Sequence, residues 1–95
     1  MDLARFQALM RETYGERDRA RGIDATVAWL AEEVGELARA VRKGGPRERL
    51  DELADVLAWL ASLADQLGLG LAEAAERYAG GCPRCGGRPC TCPPG

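Results

Sequence analysis

The segments Glu32-Glu33-Val34-Gly35-Glu36 and Glu52-Leu53-Ala54-Asp55 set carboxylates at helical spacing on two neighbouring stretches of the chain. Residues three apart lie side by side on a helix, so Glu33 with Glu36, and Glu52 with Asp55, each make a two-carboxylate edge. Like charges at that spacing destabilise a helix. A hard divalent ion such as Mg2+, which prefers oxygen ligands, would relieve the repulsion. The residue types the chain lacks narrow the chemistry further. It has no histidine, so the usual neutral-pH acid/base group is missing. Ser62 is the sole serine, with no base to activate it as a nucleophile. If the chain is an enzyme, carboxylates and a metal are its best-supplied chemistry. The plain alternative for each acidic pair taken alone is a solvated helix face.

The elements that must position these residues are helical. Alanine, leucine, glutamate and arginine dominate, and apolar alternation is missing. The pattern predicts a first helix over about residues 2–14, with Leu3, Phe6, Leu9 and Met10 inward, and a charged loop from Gly15 to Gly22 with room for a helical turn. A second helix is expected from an N-cap at Asp24 to Lys43, where Gly44-Gly45 stop it. Pro46 suits the first turn of a third helix that continues to about Leu67. A short fourth helix is expected over about Leu71 to Tyr78, ahead of a Gly/Pro/Cys-rich tail.

On the second helix Val27, Leu30, Val34, Leu37 and Val41 form the apolar stripe. A rotation of about 100° per residue puts Trp29, Glu33, Glu36 and Ala40 on one flank of it. Glu32 falls further towards solvent, as a water-orienting candidate. The third helix is apolar over more than half its circumference, and Glu48, Glu52, Asp55, Trp59 and Ser62 share the opposite stripe. The short turn between the two helices favours antiparallel neighbours, and carboxylates projecting inward from facing helices are one way to build a metal site.

Composition bounds the rest. Ninety-five residues make one domain with a thin core of its own. Burial of the third helix against a second copy would supply what the single chain lacks. The net charge of −2, with acids and bases intermixed, gives no general nucleic-acid footprint. No apolar run approaches the ~18 residues of a membrane span. The N-terminal residues carry no signal-peptide pattern, so a cytoplasmic location is expected.

Glu-Glu-x-x-Glu, a gap, then Glu-x-x-Asp resembles the signature of MazG-type nucleoside triphosphate pyrophosphohydrolases, in the all-α NTP pyrophosphatase superfamily. The Val-Gly-Glu-Leu run inside the first half adds to the likeness, which covers about residues 24–67. The resemblance implies an all-α homo-oligomer, dimer or tetramer, that cleaves a nucleoside triphosphate to the monophosphate and pyrophosphate. It also implies Glu33, Glu36, Glu52 and Asp55 as Mg2+ ligands. Arg39, Arg42 and Lys43 could then reach phosphate oxygens, against their plain reading as surface charge at a helix C-terminus. Trp29 and Trp59 could stack on a base. Core packing competes for Trp29, and an oligomer interface for Trp59. A related phosphoribosyl-nucleotide pyrophosphohydrolase is a further possibility within the superfamily, ranked below the MazG type.

Cys82-Pro83-Arg84-Cys85-Gly86 followed by Cys90-Thr91-Cys92 resembles a zinc knuckle. Four cysteines can close a tetrahedral structural Zn2+ site. Paired disulfides, a redox Cys-x-x-Cys and a disordered tail are the alternatives. The sequence thus divides into a helical domain over 1–80 and a Cys-rich tail over 81–95. A non-enzymatic helical oligomer whose knuckle serves as a binding module stands as the second functional hypothesis. With Arg84 and Arg88 as its only positive charges and no aromatic residue, such a knuckle is poorly supplied for nucleic acid.

Overall fold

In the computed structural model, which describes residues 1–94, the chain is all-helical, with no strand among the described residues. Asp2 caps the first helix, α1 (Leu3–Arg21), by accepting the Arg5 N–H at 2.8 Å. Gly22, at φ +89°, ends α1 and immediately starts α2 (Ile23–Lys43). This left-handed conformation is one that glycine adopts at little cost. The Gly44–Gly45 turn leads to α3 (Pro46–Gln66), which has proline in its first turn. A short α4 (Leu71–Ala75) and a single 3-10 turn (Glu76–Tyr78) precede the tail.

α1 corrects the expected loop. Residues 15–21 continue the helix instead of leaving it. Glutamate, arginine and alanine are good helix formers whatever their polarity, and Arg21 Nη1 reaches Asp18 Oδ1 at 2.8 Å one turn back. The N-cap of α2 is Gly22 rather than Asp24, which instead sits in the first turn, where its charge suits the helix dipole. The fourth helix is also shorter than expected, because its last turn tightens to 3-10 geometry.

α3 lies centrally, packed along α2 on one side and α1 on another. Ala61, Ala64 and Leu71 are buried at its C-terminal end, with Leu3, Phe6 and Met10 against them. The buried Gln7 ties this end together. Its Nε2 donates to Leu69 O and its Oε1 accepts from Leu71 N, both at 2.8 Å. Gln66 Nε2 donates to Asp18 O, joining the end of α3 to α1. Arg49 donates to Val41 O at 3.1 Å, a carbonyl that the end of α2 leaves open, and adds a second donor at 3.2 Å to Ala40 O, which already accepts the Gly44 N–H at 2.8 Å.

The buried side of α3 is its small-residue side, Ala61, Ser62 and Ala64, so the Ser62 flank faces the chain's own interior. Much of the leucine side is left uncovered. Leu50, Leu53, Leu60 and Leu67 are 40–58% exposed, and Val27, Val34 and Val41 of α2 are about half exposed. No helix among the described residues is long and apolar enough to cross a membrane.

Candidate metal and nucleotide site

The antiparallel packing of α2 on α3 brings the two acidic segments together. Glu33 from α2 meets Glu52 and Asp55 from α3, with one carboxylate oxygen of each lying within 4.8 Å of the others. Among the described residues no ion pair answers these three carboxylates. Octahedral Mg2+ with oxygens at about 2.0–2.1 Å holds adjacent ligands roughly 2.9 Å apart and opposite ones roughly 4.2 Å apart. The three oxygens are therefore within small side-chain adjustments of facing one ion, and the donor set fits a hard cation. Glu33 registers the crowding. Its pKa is raised above the ordinary 4.5, first by partial burial and then by the charges of Asp55, Glu52, Glu36 and Glu32.

Glu36 and Glu32 stand outside that trio. Glu36 instead lines, with Glu52, an open groove of about 240 Å³ that also holds Arg39 and Lys43. Two cations thus face two of the expected ligands across one cavity. Arg42 does not line it.

On the other side of Asp55 the two tryptophans pair. Trp29 and Trp59 stack with ring centroids 6.0 Å apart and planes 15° from parallel. Trp29 remains about half exposed, at 47%. The guanidinium of Arg21 lies 4.6 Å from the Trp59 ring centre, a cation–π contact. Tyr14, Arg17, Asp18 and Arg21 of α1, with Asp55, Trp59 and Ser62 of α3, line a second cleft of about 260 Å³. Asp18 is almost fully buried, and its second carboxylate oxygen has no hydrogen-bond partner in the chain.

Residues 21–80, well over half of the chain, match the MazG nucleotide pyrophosphohydrolase domain. The chain belongs to that family. The expectation carried by Glu32 to Glu36 and Glu52 to Asp55 is thereby met at the level of family, and with it comes the family's activity, nucleotide pyrophosphohydrolysis, typically with a divalent metal. No curated protein sequence matches the chain.

Tyr14, at the end of the expected first helix, and Arg17, Asp18 and Arg21 were not among the candidate residues; the last three fall in the segment Gly15 to Gly22, which reads as a loop when apolar periodicity is the guide. The usable signal was different. The run Glu16 to Arg21, mostly good helix formers, ends at Gly22, a residue suited to stopping a helix. Far from this cleft in sequence, the thiols of Cys82, Cys85, Cys90 and Cys92 also converge, with all four sulfurs within 4.8 Å of one another.

Proposed function

We propose that the chain is a Mg2+-dependent nucleoside triphosphate pyrophosphohydrolase, releasing a nucleoside monophosphate and pyrophosphate, and that it works in the cytoplasm on the nucleotide pool. The observation that carries this reading is the convergence of Glu33 with Glu52 and Asp55 across two helices. Those three residues, with Glu36 beside them, would hold the ion. Bound there, Mg2+ would neutralise phosphate charge and favour attack by water at a phosphorus atom.

The chain's own groups account for the remaining needs. Arg39 and Lys43 face the groove shared by Glu36 and Glu52, and can bind phosphate oxygens that extend away from the metal. Glu32 stands at the solvent side of the acidic set, where it can accept a hydrogen bond from an approaching water. Trp29 and Trp59 offer a flat apolar surface for a base on the opposite side of Asp55. The cleft lined by Arg17, Asp18 and Arg21 adjoins that surface and can read polar edges of the nucleoside.

The working form in this reading is a homo-oligomer. Exposed leucines on α3 and valines on α2 make more apolar surface than an isolated small domain usually leaves in water.

Pyrophosphate release from a panel of canonical, deoxy and modified triphosphates, with Mg2+ or Mn2+, tests the proposal. Equimolar monophosphate and pyrophosphate are expected from at least one of them. Orthophosphate as the first product would place the cleavage elsewhere. No product from any triphosphate or phosphoribosyl nucleotide would replace the enzyme with the binding module.

A further inference from the structure

The tail lies beyond the span that matches the family, and the hydrolase reading leaves its four cysteines without a role. Its sequence is mostly glycine, proline, arginine and cysteine, and nearly every residue from Pro83 to Pro94 is exposed. No apolar burial explains its order. Its backbone hydrogen bonds are local. Gly86 N donates to Cys82 O at 2.7 Å and Cys82 N to Gly87 O at 3.1 Å, while Gly81 N reaches back only to Tyr78 O at 3.0 Å. Such a segment lacks what normally offsets the entropy of fixing a chain. Yet its backbone is specifically shaped. Gly81 and Gly86 take φ values of +100° and +74°, and a Cβ on Gly87 would come within 2.6 Å of Pro89 O.

The shape is organised around sulfur. Cys82 Sγ lies 3.8 Å from Cys92 Sγ, and Cys85 Sγ lies 3.9 Å from Cys90 Sγ. All four cysteines are free thiols rather than disulfides. A tetrahedral zinc–thiolate centre with Zn–S of about 2.3 Å places its sulfurs about 3.8 Å apart. Although Cys90 and Cys92 are separated by one residue rather than two, their sulfurs fall in the same cluster.

The backbone also donates inward. Gly87 N and Thr91 N each lie 3.4 Å from Cys85 Sγ, and Cys92 N lies 3.3 Å from Cys90 Sγ. Donors of this kind stabilise thiolates and orient them as ligands. Four thiols held in contact around one point, with amides aimed at the sulfurs, are a ligand set.

We propose that Cys82, Cys85, Cys90 and Cys92 bind one Zn2+ as a closed tetrathiolate centre, and that this ion folds residues 81–92 onto the end of the helical domain. Four protein ligands leave no open position, so the centre is structural. The proposal does not depend on the nucleotide chemistry of the helices.

Elemental analysis of the full chain, isolated under reducing conditions without added metal, should find about one zinc per chain. The four thiols should resist a maleimide until a strong chelator is added, and then all react. Replacement of the ion by Co2+ should give sulfur-to-cobalt charge-transfer bands with intense tetrahedral d–d absorption. The double variant Cys85→Ser with Cys90→Ser should lose the zinc at least tenfold while keeping its far-ultraviolet helical signal, since the helices pack without the tail.

Zinc-free protein with four freely reactive thiols would overturn the proposal. So would intact disulfides, or iron in place of zinc. A second control separates this centre from the acidic one. If the triple variant Glu33→Gln, Glu52→Gln, Asp55→Asn loses the zinc and the cysteine variant keeps it, the ion belongs to the carboxylates and the assignment fails.

Discussion

Glu33 has the most crowded charge of the acidic set, with Glu52 and Asp55 across the helix interface and Glu32 and Glu36 on its own helix. Its raised pKa means that, without metal, the native state holds the proton more tightly than the unfolded chain does. Stability of the metal-free protein should therefore rise as pH falls through the raised value towards 4.5, and level off below it. Glu33→Gln should remove that slope and raise the metal-free Tm. Adding Mg2+ should stabilise the wild type more than the variant. A thermal melt at several pH values, with and without Mg2+, reads all three effects. Catalysis should respond in the opposite sense. Glu36→Gln and Asp55→Asn keep side-chain size while removing charge, so each should lower pyrophosphate release by about 10²-fold or more, given the several kcal/mol a metal contributes to stabilising transition-state charge. Circular dichroism should show both folded. Turnover at the wild-type rate by both would end their assignment as ligands.

At the scale of elements, α2 and α3 were legible because apolar stripes, Gly44-Gly45 and Pro46 all pointed the same way. Their antiparallel packing, and so the approach of Glu33 to Glu52 and Asp55, followed from the short turn. The second half of α1 was not legible by the same guide. Its residues face charged or aromatic neighbours rather than a hydrocarbon core, so the helix carries no apolar stripe there. Arg21 packs on Trp59, a partner 38 positions away in sequence, and Gln66 bonds the Asp18 carbonyl across a similar distance. Pairings of that range leave no local mark. Asp24 misled for a different reason. A good capping side chain was available, but Gly22 had already turned the chain, so the helix began earlier. Arg49 belongs with these nonlocal contacts. Arg49→Ala would free the Val41 carbonyl and leave Ala40 O with the Gly44 N–H alone, at a cost of about 1 kcal/mol. For a domain of this size that lowers Tm by roughly 4–8 °C, with no expected change in metal affinity.

The whole molecule extends 43 × 35 × 27 Å, yet its buried hydrophobic residues are only Ala40, Ala61, Ala64 and Leu71 among the described residues. In the proposed assembly, the helices finish their packing in a second copy. Light scattering at micromolar concentration should give at least twice the chain mass. Leu53→Glu with Leu60→Glu should shift the protein towards monomer and lower its Tm, since both side chains are among the exposed leucines of α3. A wild-type monomer that melts cooperatively would show that this thin core suffices. The placement of α1 bears on how such a chain can change. Tyr14, Arg17 and Asp18 line the cleft beside Asp55 and Trp59, yet they precede the span that carries the family's pattern. In the proposed function, part of the nucleoside-reading cleft thus lies on a stretch of sequence separate from the carboxylates. On that reading, substitutions in the first twenty residues would retune which nucleotide is accepted while the carboxylates stay untouched, which would make this opening helix an exchangeable lock face set over a constant bolt.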